Sequence, residues 1–359
     1  RLPTFFCEKK LGEIVGAFDL FSLIFGRQRP AKCHKHRGLR RLMFNGAFFF
    51  RQDIACKADD IAERVDDFSE ARIQSRLDWR VRMGAAIDQP SQTAMLVAFC
   101  RALAAKDERE EIKGPDDLAE LFLTEEGRQP LINKSSRTWA IQNLVTAPLY
   151  GYFMARTAYL DQVFKESLAA EIPQIVLLGA GYDTRAYRYR DLIRRTRIFE
   201  LDIAPTQKQK QETLKKADIE IPAAVVFVSV NFKQDQLTEV LRKNGFDPTA
   251  KTLFIWEGVS YYLTKDAVVK TLLFIKENSP SGSILCFDYL NKELESVSAA
   301  EPFQFWLDPG RLESFMETHG FKVLEHLDAP VLERRYLTLA DGTLAEKTLT
   351  QFSLVQAVV

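Results

Sequence analysis

No two cysteines in this chain stand in the CxxC spacing of a zinc or redox site. Cys7, Cys33, Cys56, Cys100 and Cys286 are scattered along it. Cys33, His34 and His36 lie close together, but a metal site takes more ligands than these, so no metal is expected. An odd number of dispersed thiols suits a reducing cytoplasm, and a cytoplasmic location is the expectation. Net charge is also missing: Lys and Arg number 49, and Asp and Glu number 49. No overall positive field exists to hold nucleic acid or an anionic membrane, so neither is expected as a partner. No apolar run reaches the roughly 18 residues of a membrane span. The nearest candidate, Ile14 to Phe25, is shorter, carries Asp19 and lacks the small-residue cleavage site of a secretory leader. Internal repeats and low-complexity linkers are absent too. What remains is a globular balance, 46% hydrophobic and 27% charged, with ample material for a core.

The chain falls into stretches of different character. Residues 1–82 carry 17 Lys and Arg against 11 Asp and Glu, three of the five cysteines, and the patternless cluster "NGAFFFRQ". Within them Ile54, Ala58, Ile61, Val65 and Phe68 recur at helical spacing, which predicts a helix from about Asp53 to Leu77. The competing expectation is that residues 1–82 are an extension, not native or poorly ordered, with the native start at Met83. From Met83 the pattern is cleaner. "SQTAMLVAFCRALAAKDE" predicts an amphipathic helix capped by Ser91. "GPDDLAELFLT" predicts another with Pro115 in its first turn. The stretch from Ser135 to Ala170 reads as helix broken near Pro148. Residues 83–172 therefore form a helical cap.

From Pro173 the grammar changes. "QIVLLG", "TRIFELD", "AAVVFVSV", "KTLFIWEG" and "GSILCFDYL" are near-continuous apolar strands, separated by amphipathic helices. That alternation predicts a doubly wound α/β core over 173–359, a mostly parallel sheet covered on both faces. After a helix at "GRLESFMETHG", the strands "FKVLEHL" and "LTQFSLVQAVV" add an antiparallel edge, for about seven strands in all.

In such a sheet ligands bind beyond the carboxyl ends of the strands. The first strand ends in "GAGYDTR", where Gly179, Ala180 and Gly181 leave backbone bare for close approach. Two glycines after a strand can equally make only a tight turn. The third glycine of a dinucleotide fingerprint is missing, since Thr184 holds its position. Asp183 inside the turn would repel a pyrophosphate and tolerate a cationic end. Asp202 closes the second strand, at the spacing of a ribose-binding acid. Asn231 and Phe232 end the third strand, where an adenine would be bonded and stacked. Glu257 follows an apolar strand, where an unpaired charge is expensive, so it is a ligand or one half of a structural ion pair.

Together "ARTAYLDQ", "QIVLLGAGYDTRAYR", "FELD", "GFDPTAKTLFIWEGVSYYL", "GSILCFDY" and "EPFQFWLDPGRLESFMETHGF" resemble the leucine carboxyl methyltransferase family. The likeness is closest to its bacterial branch of class I S-adenosylmethionine-dependent methyltransferases, and it runs from about Met83 to the C-terminus. It implies a Rossmann-like methyltransferase domain over 83–359 with S-adenosylmethionine as cofactor. It places Arg156 on the cofactor's carboxylate, Gly179 under its methionine portion, Asp202 on the ribose, and Asn231 and Phe232 beside the adenine. Asparagine stands where the family has aspartate, so that contact loses its charge. Glu257 falls near the cofactor. Tyr262 falls on the acceptor side, where a half-buried core tyrosine is the alternative. The implied reaction is methyl transfer to a carboxylate or hydroxyl oxygen of a small molecule, or of a protein carboxylate. Two rivals stand beside it: a nicotinamide-dependent oxidoreductase, and a relative that binds the cofactor without turnover.

Overall fold

The computed structural model describes residues 91–232, 235–294 and 302–359. The helix expected over Asp53 to Leu77, the cluster at Cys33, His34 and His36, and the status of residues 1–82 lie outside them.

Ser91 opens α1 (Gln92–Ala105), its Oγ accepting from Ala94 N at 3.1 Å. That bond satisfies one of the donors a helix start leaves free. The second expected helix shrinks to a single 3₁₀ turn, Ala119–Phe122, and Pro115 precedes it. Two caps compete over this short stretch. Asp116 Oδ1 accepts from Ala119 N at 3.1 Å and Thr124 Oγ1 from Gly127 N at 3.0 Å, which leaves room for one turn between them. Next come α2 (Lys134–Ala140) and a π turn, Ile141–Val145. The break falls at Thr146, at φ +81°. The long α3 (Ala147–Ala169) follows, with Pro148 in its first turn, where a missing N–H costs nothing.

The strands then appear where the apolar runs placed them. In chain order they are β1 (Gln174–Leu178), β2 (Arg197–Asp202), α4 (Ala204–Lys216), β3 (Val225–Ser229), α5 (Leu237–Lys243) and β4 (Thr252–Trp256). Then come α6 (Lys265–Glu277), β5 (Ile284–Leu290), α7 (Leu312–Thr318), β6 (Lys322–Leu327), α8 (Ala329–Tyr336) and β7 (Phe352–Val358). The sheet order is β3-β2-β1-β4-β5-β7-β6. Strands β1 to β5 are parallel, and β7 inserts antiparallel between β5 and β6. Helix α8 was not foreseen, although Asp328 caps it and Pro330 sits in its first turn.

Alternate residues of β1 face opposite sides, as strand geometry requires. Ile175 and Leu177 join the core shared with α1 and α3; Val176 and Leu178 join the core shared with α6 and α7. Because the order runs outward from β1 in both directions, the crevice lies beyond the carboxyl ends of β1 and β4.

Candidate functional site

The turn after β1 spends its backbone donors on the protein itself. Gly179 N and Ala180 N both donate to Leu201 O, at 2.9 and 2.8 Å. Gly181 N reaches Asp202 Oδ2 at 2.7 Å, Asp183 N reaches Ala180 O at 2.7 Å, and Arg185 N reaches Asp183 Oδ1 at 2.8 Å. Gly179 has φ +76°, and a Cβ there would stand 2.4 Å from Val259 Cγ2. Only glycine meets both conditions. The helical cap presses on the same turn. A Cβ at Gly181 would meet Ala94 at 3.1 Å, and Phe122 stacks on Tyr182 at 4.7 Å.

Beneath the turn lies a buried network of opposite charges. Arg156, on α3, is 1% exposed. Its Nη1 donates to Asp288 Oδ2 at 2.7 Å, and its Nε lies 3.0 Å from Glu257 Oε1. Asp288, inside β5, also accepts from Tyr152 OH at 2.8 Å and Gly258 N at 2.7 Å. Arg185 joins three acids: Asp161 Oδ1 at 2.7 Å, Asp183 Oδ2 at 2.5 Å and Glu257 Oε2 at 2.8 Å. Arg188 holds both oxygens of Asp161, at 2.7 and 3.0 Å. Burial alone would raise the Asp183 carboxyl, but Arg185, helped by Lys210 and Arg101, holds it down to about 2. Glu257 and Asp161 are likewise held below their ordinary range. Burial opposes this in both, and Arg185 prevails with Arg156 at Glu257 and with Arg188 at Asp161.

Three atoms of this network are buried without a hydrogen-bond partner: Arg156 Nε, Arg185 Nη2 and Glu257 Oε1. The contact between Arg156 Nε and Glu257 Oε1 is close, but the N–H is not aimed along it. Two guanidinium donors and one carboxylate acceptor, with Gly258 against Arg156, make a charge set that matches a zwitterionic amino-acid group in kind.

Asp202 is half-buried, and each of its oxygens takes one backbone N–H, from Gly181 and from Ile203 at 2.8 Å. Burial raises its carboxyl against those donors. The Thr206 hydroxyl bonds to it as well, and an ionised carboxylate has about four acceptor positions, so these donors do not exhaust it. Asn231 and Phe232 are half-buried where β3 ends, and Asp235 accepts from Asn231 N at 2.7 Å. Tyr262 is half-buried, stacked on Phe303 at 5.4 Å and edge-on to Tyr261 at 4.7 Å. Glu200 turns away from the crevice into a buried pair with Lys210 Nζ at 2.6 Å.

Asp183, expected to repel a pyrophosphate by its charge, is compensated by Arg185, and the backbone N–H groups of Gly179, Ala180, Gly181, Asp183 and Arg185 are already engaged. Asp288, Asp161, Arg185 and Tyr152 went unassigned from sequence. The test applied to Glu257, an acid in an apolar run, flags Asp288 in "LCFDYL" equally well. A cavity of about 840 Å³ lies elsewhere, at the C-terminal end of α1. Its charged lining is joined in pairs such as Lys106 with Glu120 and Lys113 with Glu110. Among the described residues no group of three or more His, Cys, Asp or Glu is placed to hold a metal, and no helix is long and apolar enough to cross a membrane.

The family model described as leucine carboxyl methyltransferase matches residues 94–276 of the 359. YktD of Bacillus subtilis, whose name proposes an S-adenosyl-L-methionine-dependent methyltransferase, is 30% identical over 189 residues, 48% of this chain and 62% of its own length. Proteins of the same proposed description from Streptomyces avermitilis and Mycobacteroides abscessus are 33% and 35% identical. Those alignments span 54% and 58% of this chain, and 68% and 70% of theirs. Among solved structures, magnesium protoporphyrin IX methyltransferase of Synechocystis with bound SAH aligns at TM-score 0.40 and 11% identity, over 62% of this chain and 91% of that one.

Proposed function

This chain belongs to the leucine carboxyl methyltransferase family of S-adenosylmethionine-dependent enzymes, and we propose that it methylates a carboxylate or hydroxyl oxygen of a small molecule. The carrying observation is the set of unpartnered buried atoms at Arg156, Arg185 and Glu257. In this reading the two guanidinium groups hold the cofactor's carboxylate and Glu257 its ammonium. Gly179, Ala180 and Gly181 let it approach the backbone. Asp202 takes the ribose hydroxyls, and Asn231 and Phe232 flank the adenine. Bound there, S-adenosylmethionine supplies an electrophilic methyl group on a sulfonium.

The chain's own part is positioning and exclusion of water. Helix α1 closes over the glycine turn through Ala94, and Ser91 N donates to Thr206 Oγ1 at 3.1 Å, at the start of α4. Tyr262, with Phe303 behind it, faces the acceptor. An ionised carboxylate acceptor needs no general base. That suits the two described histidines, which are engaged elsewhere: His326 with Tyr289 OH at 3.0 Å, and His319 with Phe315 O at 2.7 Å.

Incubating the full chain with methyl-labelled cofactor and pooled carboxylic acids and phenols tests this reading. Base-labile label in the carboxylic acid pool, or base-stable label on a phenol oxygen, with release of S-adenosylhomocysteine, is expected. Label confined to nitrogen or carbon acceptors would overturn it.

A further inference from the structure

A cavity of about 10 Å³ lies between α1, the turn before Ala119, and α3, walled by Cys100, Arg101, Asp116, Phe153, Met154 and Thr157. Three buried polar atoms of that wall have no hydrogen-bond partner: Arg101 Nε, Asp116 Oδ2 and Thr157 Oγ1. The residues are 5%, 1% and 4% exposed, so bulk solvent does not serve them. Arg101 Nε is 3.3 Å from Asp116 Oδ2, yet its N–H is not aimed there. One atom donates, one accepts, and the hydroxyl does either. A buried polar atom left without a partner is costly, and three in one pocket call for a common partner.

The volume and the donor set together select that partner. The cavity sits at the lower limit for one water, roughly 10–15 Å³, and buried waters make about three hydrogen bonds. A cation would meet the Arg101 guanidinium, and an anion the Asp116 carboxylate. The Cys100 thiol, pushed up by burial, stays neutral and brings no charge. We propose that a single internal water occupies this cavity, accepting from Arg101 Nε and bridging Asp116 Oδ2 to Thr157 Oγ1. Through it, Arg101 becomes a positioning residue for the glycine turn. Arg101 Nη2 donates to Tyr182 O at 2.7 Å, in the middle of "GAGYDTR". The water thus ties α1, the Asp116 turn and α3 to the loop that approaches the cofactor. This role for Arg101 rests on the cofactor reading above; the water itself does not.

Two measurements on the full chain test the two parts. A high-resolution crystal structure is expected to show one water within hydrogen-bond reach of all three atoms. A dry cavity, or an ion there, overturns the site. Calorimetric titration with S-adenosylhomocysteine is then compared across variants. Thr157→Val, which keeps the shape and removes the hydroxyl, is expected to weaken binding about five-fold, while Thr157→Ser retains it. Equal affinity in wild type and Thr157→Val overturns the positioning role. Wild type that fails to bind at all rejects the cofactor reading instead, and the crystallographic water still decides the site. If Thr157→Val does not fold, Thr157→Ala is titrated in its place, and affinity equal to wild type overturns the positioning role.

Discussion

Gly179 and Arg156 act on the site in different ways. At Gly179 the requirement is conformational, a positive φ and a 2.4 Å approach to Val259. Alanine there meets left-handed backbone strain of about 1–2 kcal/mol, with the clash added. Gly179→Ala should therefore unfold at lower urea, and Val259→Ala should recover part of the loss. An unchanged midpoint would contradict the geometry. At Arg156 the requirement is electrostatic. Removing it leaves Asp288 and Glu257 buried with one fewer cation, which costs about 3–5 kcal/mol when a buried pair is broken. Urea titration of Arg156→Ala should show a loss of that order. A loss below about 1 kcal/mol would mean that Tyr152 and Gly258 alone satisfy Asp288.

Among the elements, the strands were the most legible part of the sequence. The central strands β1 and β4 are buried along their length and their apolar runs announce them, while β2 and β5 carry a buried acid within such a run and the edge strand β3 is only half-buried. The turn at Ala119 to Phe122 was misread because two side-chain caps, at Asp116 and Thr124, cut short a pattern that otherwise suits a helix. Residue types at the site were legible; their partners were not. Arg156 meets Asp288 across 132 residues and Arg185 meets Glu257 across 72, and no local period reports such pairings.

The pairings between elements also set the acid response. Asp183, Asp161 and Glu257 are depressed in the fold, so each contributes stability that is complete above the unfolded carboxylate range and lost as pH falls. For Asp183 the window runs from about pH 4 down to about pH 2, on the order of 2 kcal/mol. Asp202 and Glu200 are raised by burial and act with the opposite sign, losing stability as pH rises above their unfolded values. Unfolding free energy should fall on acidification through that lower window, and Asp183→Asn should flatten the fall. An equal slope in the variant would remove Asp183 from the balance.

Across the molecule, the family match and every residue assigned to the cofactor lie downstream of Met83. We propose that residues 83–359 are the folding unit. A chain beginning at Met83 should match the full chain in unfolding temperature and in S-adenosylhomocysteine affinity. A truncated chain that unfolds or precipitates would place residues 1–82 in the domain.

At the strand ends a dinucleotide is the sharpest competitor of S-adenosylmethionine. Both share a ribose for Asp202, so that acid does not discriminate between them. The turn does, because its N–H groups at Gly179, Ala180, Gly181, Asp183 and Arg185 are already engaged, while Arg156, Arg185 and Glu257 keep one unpartnered atom each. Calorimetric titration of the full chain with S-adenosylmethionine and with NAD tests this most directly. Saturable heat with S-adenosylmethionine and none with NAD is the predicted result. Tight NAD binding with no response to S-adenosylmethionine would make this a dinucleotide site instead.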